Sequence, residues 1–322
     1  MADAVPGRFC PVSYRYRAEA LRGPAQLSVE TLWVAGGLYG NPFALQRLAE
    51  LYDREPGAKA LIFNGDFHWF DVDAEDFRLI DESVLRYRAT RGNVETELAR
   101  PDAAAGCGCA YPEWVGGTTV EHSNRIIERL RSTARSFPRL LARLTALPMH
   151  LVAEVGGERV AVVHGDADSL AGWGFSQERL ATADGAAAGA AALAAANARI
   201  FACSHTCLPV LQRFAGGRAV ANNGAAGMPN FRGTSFGLAT RISIEPSRLA
   251  LYAVRAGDLF VEAVPIDYDA AAWNRRFLAQ WPAGSDAHRS YFERIAGGPS
   301  YAMSQALRPE APHTIASARR AA

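Results

Sequence analysis

Four apolar runs, well separated along the chain, each end in a Gly-marked or polar turn that carries a metal-ligating residue type. Asp66 lies in FNGDFHWFD, Asn93 in TRGNVETEL, His164 in VAVVHGDAD and His205 in IFACSHTCLP. A fold that brings several of these strand ends to one place would gather them. Ligands from separate strand ends can surround one cation, which neighbours on a single loop rarely do. A carboxylate, a carboxamide oxygen and two imidazoles suit a borderline first-row metal such as Zn, Mn or Fe better than Ca.

Between these points strands and helices alternate, as in an α/β protein. Residues 27–35 (LSVETLWVA) read as one strand entering the turn GGLYGN. Asn41 then caps a helix with Pro42 at its first position, and Leu45, Leu48, Leu51 and Tyr52 form its apolar stripe. Residues 58–63 read as a short buried strand, and residues 85–91 lead to Gly92-Asn93. From about 101 to 147 a Gly/Cys/Pro-containing loop precedes two helices that meet near Pro138, the first with Ile126, Ile127 and Leu130 inward and its arginines outward. We expect this segment to be an inserted cap or flank.

Residues 150–155 and 159–164 predict a hairpin around Gly156-Gly157. The stretch DGAAAGAAALAAANARI predicts a thin covering helix. Residues 200–203 read as a core strand, 238–244 and 249–254 as antiparallel strands, and 259–264 as a last strand. The expected division is an N-terminal extension (1–26), a main domain (27–267) and a C-terminal extension (268–322). That extension would carry a helix over 273–281 and a mobile tail.

The length of 322 residues supports one large domain with a full core. Lys+Arg 34 against Asp+Glu 33 leaves a net charge of +1, so no global field favours nucleic acid or an anionic membrane surface. Apolar stretches are broken well before the roughly 20 residues a membrane helix needs. The start has no apolar signal core, and a cytoplasmic address is expected. Five cysteines are few and odd in number, which argues against a disulfide scaffold. Cys107 and Cys109 in AGCGCAYP read either as small residues in a tight Gly turn or as a metal-binding or redox pair.

Taken in order, GGLYGN, GDFHWFD, GNVETE, VVHGD and SHTC resemble the motifs of the calcineurin-like metallophosphoesterases, and NNGAAGMPNF resembles their closing loop. The resemblance covers about 27–267. It implies two mixed β-sheets packed as a sandwich with helices outside, a four-layer α/β fold. It also implies two metals at the strand ends, sharing an Asp and a hydroxide that attacks phosphorus.

Carried over by position, one pocket is complete: Asp66 as the bridging carboxylate, Asn93, His164 and His205. The other is degraded. Gly37 stands where the family has Asp, Tyr39 where it has His, Cys207 where it has the last His, and Val94 where a His assists the leaving group.

Three residues could rebuild that pocket: Tyr39 as a phenolate, Cys207 as a thiolate, and His68 as ligand, acid or base. Each has a bland alternative, as a plug, a small core residue and a loop histidine. Asn41, His122 and Arg125 could face substrate, although a helix face is the simpler reading for the last two. The expected function is hydrolysis of a small phosphorylated molecule, a phosphomonoester or phosphodiester, at an atypical centre. One tightly bound Fe, Mn or Zn ion is expected there. The alternatives are a catalytically retired scaffold on the same fold and an iron site with altered chemistry.

Overall fold

The computed structural model describes residues 5–308. The expected mobile tail lies largely beyond them, at 309–322. The strands are β1 (Leu27–Val29), β2 (Thr31–Ala35), β3 (Lys59–Asn64), β4 (Arg88–Thr90), β5 (His150–Val155), β6 (Glu158–Val163) and β7 (Ile200–Cys203). They continue with β8 (Val210–Phe214), β9 (Arg218–Asn222), β10 (Gly237–Ser243), β11 (Tyr252–Ala256), β12 (Leu259–Ile266) and β13 (Leu307–Arg308). One mixed sheet has the order β1-β5-β6-β7-β9-β8-β13 and the other β11-β12-β10-β2-β3-β4.

Alternation along the strands builds the layers. Leu32, Val34 and Ile62 from one sheet meet Val160, Val162 and Ala202 from the other in a shared inner core. Their neighbours Trp33, Ala35 and Phe63 point outward under helices. Those helices include α1 (Pro42–Asp53), α2 (Ala74–Val84), α3 (Asn93–Ala99), α4 (Gly117–Ala134) and α5 (Pro138–Ala146). On the opposite outer face, Ala161, Val163 and Phe201 lie under α6 (Gln177–Leu180) and the Ala-rich α7 (Ala183–Ala195). With both faces of each sheet covered, β2 and β7 are buried at every position. The sandwich expected from the motifs is the architecture observed.

Two strand readings change. Residues 27–35 are not one strand: β1 pairs in parallel with β5, while β2 lies between β3 and β10 in the other sheet. The break is at Glu30, whose backbone and carboxylate both bond Ala58, turning the chain from one sheet to the other. The strands read at 238–244 and 249–254 both lie in antiparallel pairs of one sheet but are not neighbours in it. Instead β12 lies between β10 and β11 and pairs antiparallel with both, because the Gly257-Asp258 turn folds β11 directly back on β12.

The C-terminal part adds α8 (Ala270–Gln280) and α9 (Asp286–Gly297) to the helical face.

Candidate metal centre

β3 and β4 are parallel in one sheet, and β6 and β7 are parallel in the other. The chain leaves each of these strands at its carboxyl end, where open α/β sheets collect ligands. Asp66 is two residues beyond β3, Asn93 opens α3 after β4, His164 follows β6, and His205 is two residues beyond β7. All four are buried.

His164 Nε2 lies 3.3 Å from Asp66 Oδ2, 3.3 Å from Asn93 Oδ1 and 3.2 Å from His205 Nδ1. Ligand atoms of Asp66, His164 and His205 all fall within 4.8 Å of one another. Neighbouring ligand atoms held about 2.0–2.2 Å from one ion are separated by roughly 3.0–3.4 Å, so the spacing suits a shared cation.

The orientation of each group makes the case chemical as well as spatial. His164 Nδ1 donates to the Asn64 carbonyl at 2.8 Å, which leaves Nε2 as the lone pair. His205 Nε2 donates to the Cys109 carbonyl at 3.0 Å, which turns the bare Nδ1 inward. Asn93 Nδ2 donates to the Cys107 carbonyl at 3.0 Å, which fixes Oδ1 toward the centre. Four acceptors therefore converge with no donor among them. Such a cluster suits a cation, and backbone partners of this kind are what hold metal-ligating imidazoles in one tautomer.

Without an ion the centre recruits protons. Burial depresses His164, but the Asp66 charge and hydrogen bond outweigh it and its pKa rises. Burial and then the His164 charge push His205 down to about 4.

Close approach is bought by small residues. A Cβ on Gly92 would sit 2.2 Å from Asp66 Oδ1, and one on Gly65 would sit 2.6 Å from His164 Nδ1. Asp66 itself has φ +52, and Tyr39 and Cys207 have φ +56 and +62. Non-glycine residues in this left-handed region concentrate where structure over-determines them. The Asp66 turn is held by the buried Glu95 carboxylate, which accepts N–H bonds from Gly92, Asp66, Phe67 and His68 at 2.8, 2.8, 3.0 and 3.3 Å.

Around the degraded pocket the outcome is specific. Tyr39 occupies the space beside Gly37, where a Cβ would meet Tyr39 Cε2 at 2.8 Å. Its hydroxyl is 2.8 Å from Cys207 Sγ. Burial, with Cys207 and Asp66 nearby, raises the Tyr39 phenol well above its ordinary range. Burial likewise raises the Cys207 thiol, which lies outside the Asp66–His164–His205 cluster. In this structure the phenol and thiol bond each other.

His68 also departs from expectation. It points away from the centre into the helical layer, with Nδ1 2.6 Å from Asp71 Oδ2 and Nε2 3.6 Å from Asp81 Oδ1, and its ring stacks on Phe77. Two buried carboxylates, Asp71 and Asp81, flank its ring.

His122 and Arg125 both bond Asp286 Oδ1, at 2.6 and 3.2 Å, and so tie α4 to the start of α9. Asn41 caps α1 and donates to the Gly227 carbonyl at 3.0 Å. None of the three lines the cavity beside the centre.

The Cys107/Cys109 loop contributes carbonyls rather than sulfur ligands. Gly106, Gly108 and Ala110 have positive φ, and both thiols are free. Sequence reading missed the orienting carbonyls of Asn64, Cys107 and Cys109, because a backbone oxygen leaves no residue-type signal. Glu95 was within reach, as the acidic residue of GNVETE.

Beside the four residues lies a cavity of about 170 Å³, lined by Tyr39, Trp69, Tyr111, Trp173, Tyr291 and Arg294 among others. Trp173 packs edge-on against His205 and bonds the Cys109 carbonyl.

A metallophosphoesterase from Sphaerobacter thermophilus superposes with TM-score 0.54 at 15% identity, covering 84% of this chain and 100% of that one. This chain has the metallophosphoesterase fold. A hypothetical protein from Pyrococcus horikoshii OT3 is similar too, with TM-score 0.57 at 14% identity, covering 85% of this chain and 99% of that one. No family model matches the chain, and no curated protein does. Among the described residues no helix is long and apolar enough to cross a membrane. In this metallophosphoesterase fold the four converging residues occupy the strand ends from which the motif order led us to expect ligands.

Proposed function

We propose that the protein hydrolyses the phosphate ester of a small molecule at a mononuclear first-row metal centre. The observation that carries this reading is the donor-free convergence of Asp66, Asn93, His164 and His205. An ion held there would polarise a phosphoryl oxygen and lower the pKa of a water. The nitrogen and oxygen set favours Zn, Mn or Fe.

A single ion is favoured because Tyr39 fills the space beside Gly37, and Gly37 has no side chain to offer. The protein's own part is to orient the ligands through the Asn64, Cys107 and Cys109 carbonyls and to keep the centre dry. The small cavity admits less than a drug-sized ligand, for which pockets run about 300–1,000 Å³, so the substrate is small.

The test pairs metal content with turnover. Protein reconstituted with Zn, Mn or Fe should hold one equivalent and hydrolyse aryl phosphate monoesters or diesters. Asp66→Ala and His164→Ala should each lose both properties. Turnover that survives either substitution rejects the reading. A protein that takes up no metal and turns over no ester would instead be the scaffold.

A further inference from the structure

Among the residues lining the cavity, Arg294 is the only lysine or arginine. It comes from α9, outside the segment that carries the motifs. Its Nη2 donates to the Cys207 carbonyl at 2.6 Å and its Nε to the Pro229 carbonyl at 3.2 Å. These two bonds fix the plane of the guanidinium. Nη1 has no hydrogen-bond acceptor among the described residues.

Cys207 is also the partner of the Tyr39 hydroxyl, so the guanidinium stands on the side of the cavity closed by the Tyr39–Cys207 pair. A phosphate ester brings one or two negative charges toward a centre where Asp66 already contributes one. A single divalent ion balances Asp66 and a monoanionic ester, but it leaves a dianionic monoester one charge short and one phosphoryl oxygen without a clamp. A guanidinium is permanently charged, less strongly hydrated than an ammonium, and shaped to donate to phosphoryl oxygens.

Building on the hydrolase reading, we infer that Arg294 holds a phosphoryl oxygen through Nη1, its fixed charge standing in for a second metal ion. The ligand class is a phosphoryl or phosphate anion. α9 is placed for this by its first turn, where Asp286 receives His122 and Arg125 of α4. Those two residues thereby support the substrate pocket at one remove.

The test titrates inorganic phosphate calorimetrically into metal-loaded protein, with metal content measured for every variant. Arg294→Gln should weaken phosphate about tenfold or more, the size of a lost charge-assisted bond, at unchanged metal content. Arg294→Lys, which keeps the charge and loses the fork, should fall between Arg294→Gln and wild type. A second measurement needs no variant: saturating phosphate should slow phenylglyoxal modification of Arg294, located by peptide mass spectrometry.

Equal phosphate affinity in wild type and Arg294→Gln, no phosphate binding by wild type, or no protection of Arg294 would each overturn the inference. Failure of the hydrolase reading looks different. There, phosphate would bind through Arg294 while no ester is turned over.

Discussion

On the proposed metal-centre reading, Gly92→Ala protein is expected to purify folded, to lose metal uptake, and to fall about 100-fold or more in kcat/KM. Gly92 has φ −95, which alanine adopts freely, so the backbone carries no penalty. The added Cβ, however, would lie 2.2 Å from Asp66 Oδ1 and 2.8 Å from His164 Cε1. Asp66 cannot retreat without leaving its turn, because its N–H is bound to Glu95 at 2.8 Å and its Oδ1 accepts from the Val94 N–H at 3.1 Å. Overpacking of this kind costs about 1–3 kcal/mol, which leaves the fold intact. The ligand, by contrast, is displaced by a distance comparable to the 1 Å error that costs about 10²-fold in catalysis. Metal stoichiometry and denaturation midpoints measured side by side check this. An alanine variant with full metal occupancy would show that the close packing of Gly92 on Asp66 is incidental.

The second large effect concerns stability rather than chemistry. His68→Leu is expected to cost about 3–5 kcal/mol, the usual consequence of removing one member of a buried charge cluster. Burial by itself lowers the His68 pKa, but Asp71 and then Asp81 outweigh it and carry it from 6.5 to about 10. His68 is thus the cation that neutralises two buried carboxylates, helped at Asp81 by the half-exposed Arg143 at 3.4 Å.

A group whose pKa is raised by folding stabilises most fully below its unfolded value. Its contribution is complete below about pH 6.5 and is lost as pH rises through about 10. Denaturant unfolding of wild type and His68→Leu at pH 6 and pH 10 should show the gap between them shrinking at the higher pH. A gap under about 1 kcal/mol at pH 6 would mean that His68 is not charged in the core. Since native domains have roughly 5–15 kcal/mol in hand, the expected loss is a large share.

These two positions mark the boundary of what the chain discloses. The four converging residues and the Gly-marked turns before Asp66 and Asn93 were legible, because a strand ending in such a turn is a local event. The motifs in order also implied the sandwich of mixed sheets by resemblance, and Asn41 before Pro42 marked the helix cap. What stayed hidden depends on where side chains point and on partners distant in sequence. His68 turns toward Asp71 and Asp81 because α2 sets a second carboxylate above it. Tyr39 fills its pocket because Gly37 leaves room and Cys207 lies across it. Residues 27–35 divide between two sheets because Glu30 bonds Ala58, and the Cys107–Cys109 loop serves through carbonyl oxygens that any residue carries. Arg294, which reaches the cavity from α9, lies nearly ninety residues beyond His205. Periodicity and turn chemistry report on a few neighbouring residues, and so they determine elements and candidate ligands. The direction of a buried side chain follows from the charges and volumes packed around it, and only the assembled tertiary structure brings those together.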